Sequence, residues 1–316
     1  METTQGLVIR IKGAAFFVES GFGEIRCSLR GRFRLGDTPE EVLPVVGDTV
    51  TVSIERGGGA GGTQGVIVEL GARRSILART DPSQRKGYRI LGANMDQAIL
   101  VFAVKEPDLN LRLLDRMLVS AACGPMDAVI CVNKMDLADS RAGIDASLAP
   151  YRTMGYRCVC SSARTGEGVE DLAGMLTGKL SIFAGPSGSG KSSLISRVQP
   201  GLELVVGSVS ARTGKGMHTT SHFEIHRIPR GGYLGDTPGV REFGIWGVSK
   251  EKLAGFFRDF APFHTGCRFA TCTHSHEPDC AVKDAVERGD VSRERYESYL
   301  RILETVSDER NLKRPW

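Results

Sequence analysis

The sequence predicts a multi-domain chain in three parts. These are an N-terminal OB-like β-barrel, a central α/β domain organised around a phosphate-binding loop, and a C-terminal, mainly helical domain built on metal-ligating side chains. Three observations carry that prediction. Five short β-rich segments crowd the first 70 residues, apolar strands then alternate with helical spacing, and three cysteines and two histidines fall within residues 267–280. The expected boundaries are 1–72 for the barrel, 73–92 for a basic connection, 93–248 for the α/β domain and 249–316 for the helical domain.

Residues 7–11, 15–18, 25–29, 48–52 and 65–70 read as short β-rich segments punctuated by glycine. The glycine tract 57–62 reads as a flexible turn. Five short strands in so small a span suit an OB-type barrel, and an SH3-like barrel gives a similar pattern. Residues 71–91 follow with six basic side chains (Arg73, Arg74, Arg79, Arg85, Lys86 and Arg89) against one acid, Asp81. Such a run fits either a nucleic-acid backbone or a solvated connection.

The pattern then changes. Residues 98–104 are continuously apolar, as a strand buried on both faces requires. Leu111, Leu114, Leu118 and Ala121 recur at helical spacing. Residues 128–132, 157–160 and 180–184 read as further buried strands, with helices near 169–176 and from Lys191. This alternation predicts a parallel sheet covered by helices. From about residue 249 the pattern is helical around the cysteines, and a charged helix spans 292–304.

The chain has 316 residues, 41% hydrophobic and 25% charged, which is ordinary for a globular protein. A net charge of +4 says little about partners. No apolar run approaches the roughly 20 residues of a membrane span. The first residues, Met1 to Gln5, lack the apolar stretch of a secretory signal. A cytoplasmic protein without membrane association is expected. Cys27, Cys123, Cys131, Cys158 and Cys160 are scattered, mostly in apolar surroundings, and read as small core residues.

Gly185, Pro186, Ser187, Gly188, Ser189, Gly190, Lys191 and Ser192 complete the pattern G-x-x-x-x-G-K-[ST] between an apolar strand and a helix. Glycines let backbone N–H groups converge on phosphate oxygens, and the helix start adds partial positive charge. Lys191 can reach the β- and γ-phosphates, Ser192 can ligate Mg²⁺, and Ser193 continues the helix start. The same stretch also resembles the loop of guanylate kinases, which makes a nucleotide kinase a rival reading.

Asn133, Lys134, Met135 and Asp136 follow a predicted strand and fit N-K-x-D. A carboxylate at Asp136 can accept from both N1–H and the exocyclic amine of guanine. Adenine offers no such donor pair and would leave a buried carboxylate unpaired. Asn133 can brace neighbouring loops, and the aliphatic stem of Lys134 can cover the ring. Ser162 and Ala163 follow the next strand, where an S-A pair brings backbone N–H groups to the guanine O6. An ordinary helix N-cap is the plainer reading of that pair.

Asp236 and Gly239 fit D-x-x-G, in which the carboxylate holds Mg²⁺ through water and the glycine amide meets the γ-phosphate. Upstream lies His218-Thr219-Thr220, where a threonine hydroxyl can ligate Mg²⁺; Thr220 is favoured over Thr219. Position 240 is valine, where many GTPases carry a water-orienting glutamine. His218 is the candidate to orient the attacking water instead.

The motifs stand in a rotated order. A standard G domain runs phosphate loop, switch I, D-x-x-G, N-K-x-D and S-A, whereas here N-K-x-D comes first and D-x-x-G last. A circularly permuted G domain keeps its packing if the old termini are close. Switch II then leads directly into the C-terminal region, so loss of the γ-phosphate could reposition that region.

Cys267, Cys272 and Cys280 with one histidine make a tetrahedral Zn²⁺ set, closed and therefore structural. His274 and His276 compete for the fourth place.

Together these residues resemble the circularly permuted, ribosome small-subunit-dependent GTPase A family, RsgA. The likeness runs over nearly the whole chain. It rests on Asn94-Met95-Asp96-Gln97, Leu111-Arg112-Leu113-Leu114-Asp115-Arg116, the N-K-x-D residues, the phosphate loop through Ser193, His218-Thr219-Thr220 and Asp236 to Gly239. The resemblance implies an N-terminal OB-fold, a permuted GTPase and a zinc domain whose ligands match Cys267, Cys272, His274 and Cys280. It also implies late assembly of the bacterial 30S subunit, contact with 16S rRNA, stimulation by that subunit, and a histidine role matching His218. Mg²⁺ with GTP, one structural Zn²⁺ and a monomer are expected. The sequence departs at the 57–62 tract, at Met217 where arginine is common, and at Ser221 where threonine is common. A nucleotide kinase would leave Asn133 to Asp136 unexplained. A nucleotide-gated RNA scaffold with negligible turnover is the third reading, supported by Val240.

Overall fold

A computed structural model describes residues 2–31, 43–55, 63–80, 88–200, 223–236 and 245–306. Strands β1 (Thr3–Lys12), β2 (Ala15–Ser20), β3 (Gly23–Leu29), β4 (Thr49–Glu55) and β5 (Gln64–Leu70) lie in the order β1-β2-β3-β5-β4, and β4 returns to β1 to close the barrel. Alternate residues point inward, as the two-residue period of a strand dictates. Val8, Val18, Ile25, Cys27, Val50, Val52 and Ile67 form the barrel core. Burial pushes the Cys27 thiol up to about 12, in keeping with a packing role.

The stretch expected as a basic connection contains a hairpin, β6 (Ile76–Thr80) with β7 (Tyr88–Ala93). Two of its cations pair with acids, Arg73 turned inward and Arg74 at the surface. Arg73 makes a two-point pair with the fully buried Asp48, at 2.8 and 2.7 Å, and Arg74 reaches Asp96 at 3.0 Å. Tyr88 packs on Trp246 with ring centroids 5.2 Å apart. The Asn94 side chain joins barrel to sheet. Its Nδ2 donates to the Gly47 carbonyl at 3.0 Å, and its Oδ1 accepts from the Arg74 amide at 2.8 Å.

The central domain continues with β8 (Gln97–Ala103), α1 (Leu111–Cys123), β9 (Asp127–Asn133), α2 (Arg141–Thr153), β10 (Arg157–Cys160), α3 (Val169–Leu176), β11 (Leu180–Ala184), α4 (Lys191–Val198), β12 (Glu224–Arg227) and β13 (Tyr233–Asp236). Its strands lie in the order β10-β9-β8-β11-β13-β12, parallel except for β12. The base-motif strands β9 and β10 therefore stand beside the phosphate-loop strand β11 with only β8 between. Only residues 177–179 separate α3 from β11, with Gly178 at φ +70° making the turn. A bridge between Arg10 and Glu224 continues the sheet into the barrel. No helix among the described residues is long and apolar enough to cross a membrane.

The C-terminal part contains short 3₁₀ turns with α5 (Lys250–Leu253), α6 (Ala281–Arg288) and α7 (Arg293–Thr305). Its core is completed by helix α1. Val119 and Cys123 of α1 pack into the same cluster as Phe257, Phe260, Val282 and Tyr299, while Leu114, Met117, Leu118 and Ala121 of α1 face the sheet. A buried charge network crosses this seam. Arg295 grips Asp259 at 3.1 and 2.7 Å and also binds Asp115, which accepts from Tyr151 Oη at 2.8 Å. Removing one partner of a buried pair leaves uncompensated charge. Arg295→Ala should cost about 3–5 kcal/mol in denaturant unfolding. The deficit should shrink at low pH, where the orphaned Asp115 carboxyl, already raised by burial, can take a proton; an unchanged midpoint at neutral pH would show that the network adds nothing.

Candidate nucleotide site and metal centre

The phosphate loop, residues 185–190, joins β11 to α4. Its glycines are needed for space as well as for conformation. Gly185 has φ +144°, and a Cβ there would lie 2.0 Å from the Val101 carbonyl oxygen. Gly190 has φ +90°, and a Cβ there would meet Asn133 Nδ2 at 2.2 Å. A side chain at either would force strand β8 or the base motif away from the loop. Lys191 Nζ donates to the carbonyls of Gly185 and Pro186 at 2.9 and 2.8 Å, so its charge sits on the loop itself. Ser187 and Gly188 are exposed at the rim with Ser192 and Ser193, and Ser189 is buried.

Asn133 ends β9 and is fully buried. Its Nδ2 donates to the Ser189 carbonyl at 2.9 Å, and its Oδ1 accepts from the Ala163 amide at 3.1 Å. One side chain thereby ties the phosphate loop, N-K-x-D and S-A together. Lys134 adopts φ +63°, and its Nζ donates to the Glu106 carbonyl. The Met135 amide donates to the Ser161 carbonyl at 3.0 Å, which joins the β9 and β10 loops.

Asp136 Oδ1 accepts from the Ser162 hydroxyl at 2.5 Å, and Arg164 Nη1 stands 3.6 Å from Oδ2. That hydroxyl, with the charge of Arg164, holds the Asp136 carboxyl below its ordinary range. Both contacts favour the charged carboxylate, the form that an acceptor for two neighbouring donors requires. The Ala163 N–H is already engaged by Asn133, so its part in shaping the loop accompanies any part in meeting a base.

The backbone of Asp236 ends β13 beside β11. His218, Thr219, Thr220, Gly239 and Val240 lie outside the described residues, as does the segment that would join switch II to the C-terminal part. Sequence reasoning missed two features of this region. The Glu106 carbonyl carries no side-chain signal. Arg197, which bonds the carbonyls of Ala163 and Arg164, reads in sequence as an ordinary basic residue in the last turn of a helix.

The second site is the cysteine cluster. Cys267, Cys272, His274 and Cys280 bring their ligand atoms within 4.8 Å of one another. His274 Nδ1 lies 3.4 Å from Cys267 Sγ and 3.3 Å from Cys280 Sγ, and the two sulfurs are 3.9 Å apart. Tetrahedral coordination by sulfur and nitrogen has edges of roughly 3.6–3.8 Å, so the four can hold such an ion. His276 is exposed, with Nδ1 bonded to Ser275 Oγ at 2.9 Å. His274 is buried, and its backbone is held by Tyr296 Oη, which donates to its carbonyl at 2.6 Å. Glu277 shapes the loop by accepting from the amides of Thr273 and Ser275. Burial opposes its charge, yet these bonds and the Thr273 hydroxyl hold its carboxyl down at about 2.

A family profile described as RsgA GTPase matches residues 70–246. The small ribosomal subunit biogenesis GTPase RsgA of Caldanaerobacter subterraneus subsp. tengcongensis is 40% identical over 308 residues, covering 98% of this chain and 97% of that protein. The crystal structure of YjeQ from Thermotoga maritima superposes with a TM-score of 0.77 at 32% identity, over 96% of this chain and 99% of that one. The structure of YloQ, a circularly permuted GTPase, gives 0.74 at 28% identity, over 96% and 95%. With the phosphate-loop and base motifs on that permuted sheet and the Cys267, Cys272, His274, Cys280 cluster in the C-terminal part, the chain belongs to the RsgA GTPase family.

Proposed function

We propose that this chain hydrolyses GTP to GDP and phosphate during biogenesis of the small ribosomal subunit. The carrying observation is the ionised Asp136 carboxylate, fixed by Ser162 and tied through Asn133 to the phosphate loop. The relative from Caldanaerobacter, named for that process, supports the reading. In it, Gly185 to Ser193 cradle the phosphates, Asn133 to Asp136 with Ser162 and Ala163 read guanine, and Asp236 and Gly239 sense the γ-phosphate. Mg²⁺ is held by Ser192, Asp236 and Thr219 or Thr220. Zn²⁺ in the Cys267, Cys272, His274, Cys280 set is structural. The protein works in the cytoplasm as a monomer, contacts 16S rRNA and is stimulated by the 30S subunit. His218 orients the attacking water, since Val240 cannot.

Phosphate release from GTP, measured with no particles, with 30S and with 50S subunits, tests this. Acceleration by 30S alone is expected, with His218→Ala lowering the stimulated rate by about 10²-fold or more, the usual scale for a residue that handles a proton or water. Transfer of phosphate to GMP would return the kinase reading. No turnover under any condition would leave a nucleotide-gated scaffold.

A further inference from the structure

We propose that Arg197, on the helix that follows the phosphate loop, is a specificity-determining positioning residue that sets the guanine-reading carboxylate of Asp136. The inference rests on the guanine reading above and deepens it. Arg197 lies in the last turn of α4 and reaches across to another loop. Its Nε donates to the Ala163 carbonyl at 2.8 Å and its Nη2 to the Arg164 carbonyl at 3.0 Å. A rigid guanidinium fork holding two consecutive carbonyls fixes the planes of both peptides.

The consequence follows from peptide geometry. In a planar trans peptide the C=O and the next residue's N–H point in opposite directions. Drawing the Arg164 carbonyl toward α4 therefore turns the Thr165 N–H away from it. That N–H donates to Ser162 Oγ at 3.1 Å. A hydroxyl has one proton to give. With the Thr165 amide as donor on one side, Ser162 directs that proton to Asp136 Oδ1 at 2.5 Å. The order of action is Arg197, the Arg164–Thr165 peptide, the Ser162 hydroxyl and the Asp136 carboxylate. Asn133 holds the same loop from the other side through the Ala163 N–H. The base-reading loop is thus held by two grips, one from Asn133 at the end of β9 and one from Arg197 on α4, and the Arg197 grip leads to the carboxylate through the Thr165 amide and the Ser162 hydroxyl.

GDP and IDP share phosphates, ribose and O6, and differ by the exocyclic amine that Asp136 accepts from. The ratio of their affinities therefore isolates how well Asp136 is placed, whereas general damage to α4 or the phosphate loop weakens both alike. A hydrogen bond to a charged group is worth roughly tenfold or more in affinity. Calorimetric titration of the full chain with GDP and with IDP, both with Mg²⁺, should show that preference in the unaltered protein. Arg197→Ala should cut the GDP-to-IDP ratio by about 3–10-fold while IDP affinity stays within about twofold. Arg197→Lys, able to hold one carbonyl but not two, should fall between. Arg197 is exposed, and matching thermal unfolding of the variants would confirm intact folds; if the alanine variant fails to fold, the lysine variant carries the test. An unchanged ratio in the folded variants overturns the proposal while leaving the guanine reading intact. Absence of GDP binding, or no GDP preference, in the unaltered chain overturns that reading and this proposal with it.

Discussion

Asp136→Asn should abolish useful GDP binding and create a site for xanthosine diphosphate. In the unaltered chain Asp136 offers two acceptor oxygens, with Oδ1 taking the Ser162 proton. An asparagine keeps an acceptor at the position facing Ser162 and presents an NH₂ donor at the other. Guanine then brings its exocyclic amine against that donor, losing one charged hydrogen bond and gaining a repulsive contact. Xanthine carries a carbonyl oxygen where guanine carries the amine and retains N1–H, so it matches the amide at both points. Sites built to hydrogen-bond one base edge reject the wrong edge strongly. GDP affinity should fall on the order of 10³-fold, and xanthosine diphosphate should bind better than GDP. Calorimetry with the two nucleotides measures both changes. Retention of GDP binding within a few-fold would place the base somewhere other than against Asp136, and the proposed function would lose its main support.

What the sequence disclosed, and what it hid, follows from the range of each interaction. The buried strands β8, β9 and β11 were legible because each is a local apolar run bounded by polar residues. The phosphate loop was legible because its residue types fall at a fixed spacing within eight consecutive positions between an apolar strand and a helix, although the atoms that require glycine at 185 and 190 belong to the distant Val101 and Asn133. Helix α2 was not anticipated. Only Leu148 and Tyr151 are buried along it, too few for a helical period to stand out. The hairpin β6–β7 was hidden by its charge. The basic run reads as solvated throughout, yet Arg73, just before the hairpin, is held by Asp48, 25 residues away along the chain. The network of Arg295, Asp115 and Asp259 was hidden in the same way, since Asp115 and Arg295 are 180 residues apart along the chain. Arg197 was hidden because its partners are backbone carbonyls, which no side-chain pattern records.

Helix α1 lies where the sheet and the C-terminal part meet. Its start follows the segment that holds Glu106, whose carbonyl accepts from Lys134 in the base motif. One face of the helix packs on the sheet and the other completes the core of the C-terminal part. One helix thus lies between the base-motif loop and the C-terminal part.

Removing metal should unfold the cysteine-bearing loop and loosen the C-terminal core while leaving GDP binding largely intact. Cys272 and Cys280 are members of that core, Cys280 stands at the N-cap of α6, and Tyr299 Oη donates to the Thr273 carbonyl between two candidate ligands at 2.5 Å. The loop is therefore the floor on which α6 and α7 rest. Three thiolates and an imidazole bring Zn²⁺ a binding free energy of about 10–16 kcal/mol in small modules, comparable with the whole stability of a domain. The loop's own hydrogen bonds, chiefly those to Glu277, cannot replace that. Hydrogen exchange of the full chain with and without chelator should show protection lost across residues 267–306, reaching the face of α1 that carries Val119 and Cys123. Residues 128–133 and 180–195, which border the nucleotide site and have a separate core, should stay protected, and GDP affinity should change by less than about threefold. Cys280→Ser should reproduce the chelated pattern. Elemental analysis showing no bound metal, or exchange across 267–306 that chelator leaves unaltered, would mean that the four ligands pack as ordinary core residues.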